Sequence, residues 1–342
     1  MKQRNMKNNT KDSSSKLIDS TPDDKELKAK ENNQLKRSDS YIKYFLIPIG
    51  CLIIYLTYAV VLNPDQYYQS LKSTTASGQS KIIAIGDLHG DLPNTLKTFK
   101  MAGLIDDKHD WCANDTIFVQ TGDIVDRGPD TIELYKLMMK LTAQAESAGG
   151  KVVELLGNHE VMNMHLDYRY VTQEDIASFG GVEKRVEEWS NNGWLGSYLR
   201  TLGISAWVNG TVFFHGGANT KWAKLTVSGI NKQAKEGLEL PPQESYRWPI
   251  FGGDGPLWYR GYAQDPPSVC EELETALKHM NATRMVVGHT PQASGEILKR
   301  CDGQVYVIDV GISRVYGGHS AAIEIVGDEV TALYASKRVR LK

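Results

Sequence analysis

KIIAIGDLHGDLPNTLKTFKMAGLIDDKHDWCANDTIFVQTGDIVDRG, residues 81–128, decides the fold. It opens with a short apolar run, Ile82–Ile85, which stops at Gly86 and is followed by Asp87 and His89. Leu92–Met101 has helical spacing, with Pro93 near the helix start, where a missing N–H costs nothing. Thr116–Gln120 repeats the pattern as a second strand, trailed by Gly122, Asp123, Asp126 and Arg127. Outward from there, Thr131–Ala148 reads as a helix closed by Gly149-Gly150. Lys151–Leu156 reads as a third strand that runs into Gly157-Asn158-His159-Glu160. Strand–helix–strand order, repeated, predicts an α/β fold with a parallel sheet and right-handed crossovers.

Asp87, Asp123 and Asn158 are almost equally spaced, one strand–helix–strand unit apart. That spacing sends all three side chains to the carboxyl edge of the sheet, where such folds bind ligands. Phe213-Phe-His215 and Val287-Gly-His289 end in the same manner, so five strand ends are expected to deliver carboxylate, amide and imidazole to one edge. The set suits two divalent metals: Asp87, His89 and Asp123 for one, and a bridging Asp123 with Asn158, His215 and His289 for the other. Nitrogen and oxygen ligands without thiolate favour manganese, iron or zinc over calcium, with manganese preferred here. Two such ions, about 3.5–4 Å apart in known sites, acidify a water and brace an in-line displacement.

The neighbouring residues suggest what would be displaced. Arg127 either pairs with an acidic neighbour or meets phosphate oxygens, and its place directly after Asp126 favours phosphate. Asn158 belongs to the phosphate-facing set as well as to the metal set. His159 is placed to protonate a leaving alkoxide, and Asp126 to orient that imidazole and raise its basicity. Glu160 reads as a hydrogen-bond acceptor behind the ligands. Tyr316 reads equally well as a substrate contact or a packed aromatic.

GDLHG (86–90), GDIVDRG (122–128), GNHE (157–160), HGG (215–217) and GHT (288–290) together resemble the metal-binding motifs of the phosphoprotein phosphatase superfamily. GPLWYRGY (255–262) and IDVGISRVYGG (308–318) are similar to its Shewanella-like branch. The resemblance spans residues 86–290, does not reach residues 1–80, and lacks a SAPNY-like C-terminal segment. It implies a calcineurin-like metallophosphoesterase sandwich of two mixed sheets flanked by helices. It also implies metal-dependent hydrolysis of phosphate monoesters on a phosphorylated protein or small phosphoester, with Arg260 as a second phosphate clamp. The intact Asp126-Arg127-Gly128 points to phosphoserine, phosphothreonine or phosphotyrosine in proteins. Polyphosphate or a dinucleoside polyphosphate is the alternative substrate. A membrane-bound interaction protein with an inactive site is the alternative of another class.

Further out the chain is less regular. Gln173–Arg200 reads as largely helical, and Ser205–His215 as a hairpin turning at Asn209-Gly210. Lys221–Gly261 mixes polar, Pro and Gly residues and reads as an insertion over the site. Cys270–Met280 is a helix; Arg284–Gly288, Val305–Val310 and Ala321–Ala335 are late strands, the last a hairpin around Gly327-Asp328.

Upstream, residues 1–43 read as a disordered cytoplasmic tail. YFLIPIGCLIIYLTYAVVL, residues 44–62, carries no charge and is long enough to cross a bilayer as one transmembrane signal anchor preceding the α/β domain. Lys36, Arg37 and Lys43 precede it and Asp65 follows, so the positive-inside rule puts the N-terminus in the cytoplasm. Residues 63–80 then form a stalk and 81–342 the catalytic domain, in an endomembrane lumen (or a bacterial periplasm). Sequons at Asn114, Asn209 and Asn281 are compatible with a lumen. Residues 1–43 hold eleven Lys/Arg against seven Asp/Glu, the remainder 28 against 34. An acidic main body argues against a nucleic-acid groove. Four cysteines without C-x-x-C exclude a zinc ribbon and leave open one disulfide or free thiols.

Overall fold

The structure, a computed structural model, describes residues 80–342. The tail at 1–43, the anchor at 44–62 and all but the last residue of the stalk at 63–80 lie outside the described residues. Among the described residues, no helix is long and apolar enough to cross a membrane.

In chain order the elements are β1 (Ile82–Ile85), α1 (Leu92–Met101), β2 (Ile117–Gln120), α2 (Thr131–Ser147), β3 (Lys151–Glu154) and α3 (Asn158–Met164). Then come α4 (Gln173–Ser178), α5 (Val182–Trp189), α6 (Trp194–Leu199), β4 (Ser205–Val208), β5 (Thr211–Phe214), α7 (Thr220–Ala223), α8 (Thr226–Leu238) and α9 (Pro242–Ser245). The chain closes with α10 (Gly261–Gln264), α11 (Val269–His279), β6 (Arg284–Val287), β7 (Leu298–Arg300), β8 (Val305–Val307), β9 (Ala321–Val326), β10 (Glu329–Tyr334) and β11 (Arg338–Arg340).

Two mixed sheets result. One has the order β11-β10-β9-β1-β2-β3, the other β4-β5-β6-β8-β7. β1, β2 and β3 are parallel neighbours, as their spacing predicts, while β9 adds antiparallel to β1. In the second sheet β5, β6 and β8 are parallel and β4 and β7 close the edges antiparallel. The sequence expectation of one edge therefore needs correcting. His215 and His289 follow β5 and β6, so the two histidines come from the second sheet.

β1 and β5 are buried on both faces, which is why Ile82–Ile85 and Val212–Phe214 read as unbroken apolar runs. All of Ile82–Ile85 and Thr211–Phe214 are buried. Phe118 of β2 meets Phe99 of α1 edge to face, with centroids 5.1 Å apart. α2 turns Leu134, Tyr135, Met138, Leu141 and Ala145 inward, a 3.6-residue stripe. α1 starts where Asp91 accepts the amide of Asn94 at 3.2 Å and Pro93 fixes the first turn.

The middle of the chain adds detail to the sequence expectation. Gln173–Arg200 is largely helical, as expected, in three short helices, α4 to α6, because Gly180, Gly181 and Gly193 interrupt it. Lys221–Gly261, read only as an insertion, contains regular structure: α8 buries Val227, Ile230, Ala234 and Leu238. Asn231 of α8 accepts the amides of Ile204 and Ser205 at 3.0 and 3.1 Å, fixing the helix to the start of β4. Gly229 and Gly237 lower the intrinsic helix propensity of this stretch, and packing overrides it. The Asn209-Gly210 hairpin is as expected, both residues taking positive φ (+46° and +79°). Cys270 and Cys301 form a disulfide, tying α11 to the turn after β7, and Cys112 is free.

Candidate active site

Asp87 and His89 follow β1, Asp123 and Asp126 follow β2, and Asn158 and His159 open α3 beyond β3. His215 and His289 follow β5 and β6. The six residues expected to hold metal are brought together, and none is more than 4% exposed.

The loops that carry them are held in costly backbone. His89, Asp123, Asp126, Arg127 and His289 all have left-handed φ, from +46° to +68°. Such conformations cost of order 1–3 kcal/mol each and persist only where surroundings fix them. Here the amides of Leu88 and His89 both bond to the Asp123 carbonyl at 2.9 and 3.0 Å, and Gly90 bonds to Ile124 at 2.8 Å. The two loops touch through glycines: a Cβ on Gly90 would stand 2.4 Å from the Gly128 carbonyl oxygen. Gly157 is equally constrained, since a Cβ there would lie 2.1 Å from Asp123 Oδ1. Glu160 plays the supporting role read from the sequence. Its carboxylate accepts the amides of Asp123, Ile124 and Gly157 at 2.9, 2.8 and 2.7 Å, and the Tyr135 hydroxyl at 3.2 Å.

Three imidazoles face one carboxylate oxygen. His215 Nε2 is 3.2 Å from Asp123 Oδ2, and the Nε2 atoms of His89 and His159 are each 3.8 Å away. His215 Nε2 also lies 2.8 Å from Asn158 Oδ1 and 3.1 Å from His289 Nδ1. Asp87 Oδ2 is 3.9 Å from His89 Nε2. On the far side of the rings, His89 Nδ1 meets the Val125 carbonyl at 3.0 Å and His215 Nδ1 the Thr121 carbonyl at 2.9 Å. A carbonyl can only accept, so each Nδ1 carries the proton and each Nε2 presents its lone pair inward.

The electrostatics suit cations. Burial, then the negative charges of Asp309 and Asp123, raise the Asp87 pKa well above the ordinary carboxylate range. Burial also opposes ionisation of Asp123, but the His215 and His159 imidazoles outweigh it and hold its pKa well below the usual value. Burial pushes His89 down to about 4, favouring the neutral ring that ligates metal. His289 is held well below its ordinary value by burial and then by His215 and Arg260. His289 Nε2 and Asp309 Oδ2 are buried with no hydrogen-bond partner. Two compact triples share Asp123: His89, Asp123 and His159, and Asp123, His215 and His289, each with ligand atoms within 4.8 Å of one another. Buried like charges, inward lone pairs and orphaned polar atoms are what two divalent ions would satisfy, so the donor set fits them. Asp87 and Asn158 stand at hand for one triple each.

Beside the triples lies an acid–base pair. His159 Nδ1 is 2.7 Å from Asp126 Oδ2, and Asn163 Nδ2 donates to Asp126 Oδ1 at 3.0 Å. Burial disfavours protonation of His159, but Asp123 and Asp126 outweigh it and raise its pKa. Among the described residues, neither Arg127 nor Arg260 has a carboxylate within ion-pair distance. Arg127 therefore does not take the acidic-neighbour alternative. Arg260 donates through Nη1 to the His289 carbonyl at 2.6 Å and to Thr290 Oγ1 at 3.3 Å, beside the second triple.

Three residues escaped the sequence reading. Asp309 follows β8 just as Asp87 follows β1; the apolar run Val305–Ile308 before it was the available signal. Asn163 sits one helical turn after His159, a spacing that announces nothing by itself. Tyr170 stacks on His159, centroids 4.9 Å apart, and lies outside every motif.

Residues 80–293 match the model of the calcineurin-like phosphoesterases. An uncharacterized protein of Schizosaccharomyces pombe is 38% identical, the match covering 76% of this chain and 82% of that protein. Shewanella-like protein phosphatase 1 of Plasmodium berghei is 30% identical, with 73% and 71% covered. Among solved structures, the cold-active protein-tyrosine phosphatase of a psychrophilic Shewanella species is similar with a TM-score of 0.68 and 29% identity, over 80% of this chain and 84% of that one.

Proposed function

The chain belongs to the calcineurin-like phosphoesterases and, within them, to the Shewanella-like phosphatases, and from that premise we propose that it dephosphorylates phosphorylated side chains of proteins, phosphotyrosine among them. The observation that carries the reading is a held proton donor in a site that also holds two arginines without carboxylate partners among the described residues. His159, fixed by Asp126 at 2.7 Å, stands beside the shared carboxylate, and among the described residues Arg127 and Arg260 have no carboxylate of their own. That combination suits a phosphate monoester, whose dianion needs charge partners and whose leaving oxygen needs a proton.

Asp87, His89, Asp123, Asn158, His215 and His289 would hold two divalent ions, manganese before iron or zinc. Bound there, such ions supply Lewis-acid polarisation and an acidified water. The chain's own residues do the rest. Arg127 and Arg260, with the Asn158 amide, bind and orient the phosphoryl oxygens. His159 gives its proton to the leaving oxygen, and Asp126 holds the ring so that Nε2 is the donating atom. Glu160 and the Gly90–Gly128 contact keep the loops from relaxing as charge moves.

The test is to assay the purified full chain with manganese on phosphotyrosine and phosphoserine peptides, polyphosphate and diadenosine tetraphosphate. Turnover of the peptides is expected. Strong turnover of only polyphosphate and diadenosine tetraphosphate would overturn the substrate assignment in favour of diphosphate-bond cleavage.

The same proposal extends to place: a catalytic domain on the lumenal side of an endomembrane, carried by the apolar run at 44–62. Supporting it, a disulfide joins Cys270 and Cys301, a bond at home in oxidising compartments. The three sequon asparagines, Asn114, Asn209 and Asn281, are all exposed. A glycosidase-sensitive mass shift is expected for the cellular protein; digestion of the domain by protease added to sealed vesicles would place it on the cytoplasmic side instead.

A further inference from the structure

Among the described residues, Arg127 is held without a counter-charge. Its guanidinium carbon lies 3.9 Å from the Tyr170 ring centroid and 5.8 Å from that of Tyr316. Its Nε is buried and has no hydrogen-bond partner among the described residues. The same two rings reach the histidines. Tyr170 packs on His159 at 4.9 Å and Tyr316 on His89 at 5.1 Å, while His89 and His159 meet edge to face at 4.8 Å. Tyr170, His159, His89, Tyr316 and Arg127 thus form a closed circuit of contacts at one side of the site. Resting on the reading of Arg127 as a phosphate-binding group, we infer that Tyr170 and Tyr316 are its positioning residues, aiming the guanidinium through their aromatic faces.

A carboxylate would hold an arginine as well, but it would cancel the charge and repel an incoming phosphate dianion. Asp87, Asp123, Asp126 and Asp309 already crowd the site with carboxyl groups, and after burial the repulsion from Asp309 and Asp123 helps raise the Asp87 pKa. An aromatic face attracts the cation through its quadrupole and adds no net charge, so the N–H donors stay available. Both rings are anchored to the loops that carry the candidate metal ligands. The Arg127 amide donates to the Tyr170 carbonyl at 2.9 Å, setting the register of that segment. The Tyr316 turn is tied down by Arg314, whose Nε and Nη2 donate to the buried Asp91 carboxylate at 2.8 and 2.9 Å. Both tyrosines remain half-buried.

The test uses the full chain with manganese and compares Tyr170→Phe, Tyr170→Leu and Tyr316→Leu. Leucine keeps apolar bulk and removes the aromatic face; phenylalanine keeps the face. Binding of inorganic phosphate, followed by calorimetry, should weaken about tenfold in Tyr170→Leu and less in Tyr316→Leu, with Tyr170→Phe close to the parent. KM for a phosphopeptide should rise in parallel. In an Arg127→Ala background Tyr170→Leu should add nothing, because its effect runs through the guanidinium. Unfolding midpoints by circular dichroism identify a variant that merely loses its fold; should Tyr170→Leu be one, Tyr316→Leu with and without Arg127→Ala decides, and an unchanged phosphate affinity there overturns the inference. An unchanged phosphate affinity in folded Tyr170→Leu, or an equal loss with and without Arg127, overturns the inference. A parent chain that binds phosphate and hydrolyses p-nitrophenyl phosphate but no phosphopeptide overturns the substrate reading instead, leaving this cycle still decisive.

Discussion

Replacing Asp123 by Asn is expected to lower kcat/KM by about three orders of magnitude or more, without unfolding the chain. Asp123 is the one side chain common to both candidate metal triples. One of its oxygens faces the Nε2 atoms of His215, His89 and His159, and the other accepts the His159 amide at 2.9 Å. Asparagine keeps the shape and one acceptor but removes the negative charge around which the imidazoles converge. Metal assistance contributes several kcal/mol to such displacements, and about 4 kcal/mol corresponds to three decades of rate. The backbone should survive, because Glu160 holds the Asp123 amide and the Asp123 carbonyl holds Leu88 and His89, contacts that asparagine retains. Steady-state kinetics on a phosphopeptide, with a thermal melt of the same preparation, reads both halves. Retention of more than about a tenth of the parent rate would argue against a shared ligand.

Replacing His159 by Gln should split substrates by leaving group. General acid catalysis is worth about 10²–10⁴ in rate. A phosphoserine peptide, whose alkoxide must be protonated, should lose that much. p-Nitrophenyl phosphate, whose phenolate leaves unaided, should lose far less. The pH profile carries the same information with a definite sign. Asp123 and Asp126 raise the His159 pKa against the opposing effect of burial, so the proton it must donate is retained to higher pH than in an ordinary imidazole. Activity on phosphoserine should therefore fall on the alkaline limb, as His159 deprotonates, and Asp126→Asn should move that limb to lower pH. Equal losses on both substrates would assign His159 to metal binding, a role its place in the His89–Asp123 triple also permits.

How much of this was legible in the sequence follows from the kind of information each feature carries. Strand ends marked by glycine and a metal-capable side chain are local signals, and they located Asp87, His89, Asp123, Asn158, His215 and His289 together. The parallel order of β1, β2 and β3 followed from equal spacing. Spacing cannot say which sheet a later strand joins, so His215 and His289 were expected on the first sheet when they arrive from the second. β7 and β11 escaped notice because each has three residues at a sheet edge, with little burial to impose a pattern. α8 was hidden by glycines whose cost is met by packing against β4. The aromatic setting of Arg127 was the least legible feature. Tyr170 reaches it through a backbone hydrogen bond across 43 positions, and Tyr316 through a turn fixed by Arg314 and Asp91, so no motif spans the contact.

Metal content tests the two-ion site most directly. The purified full chain, exchanged into manganese and freed of loose ions, would be analysed by elemental mass spectrometry beside Asp123→Asn, with phosphopeptide turnover measured on the same samples. Two ions per parent chain are expected, turnover should rise only as the second binds, and Asp123→Asn should retain one or none. A parent chain stripped of all metal that keeps its turnover, or an Asp123→Asn chain that keeps both ions, would contradict a site built around one shared carboxylate.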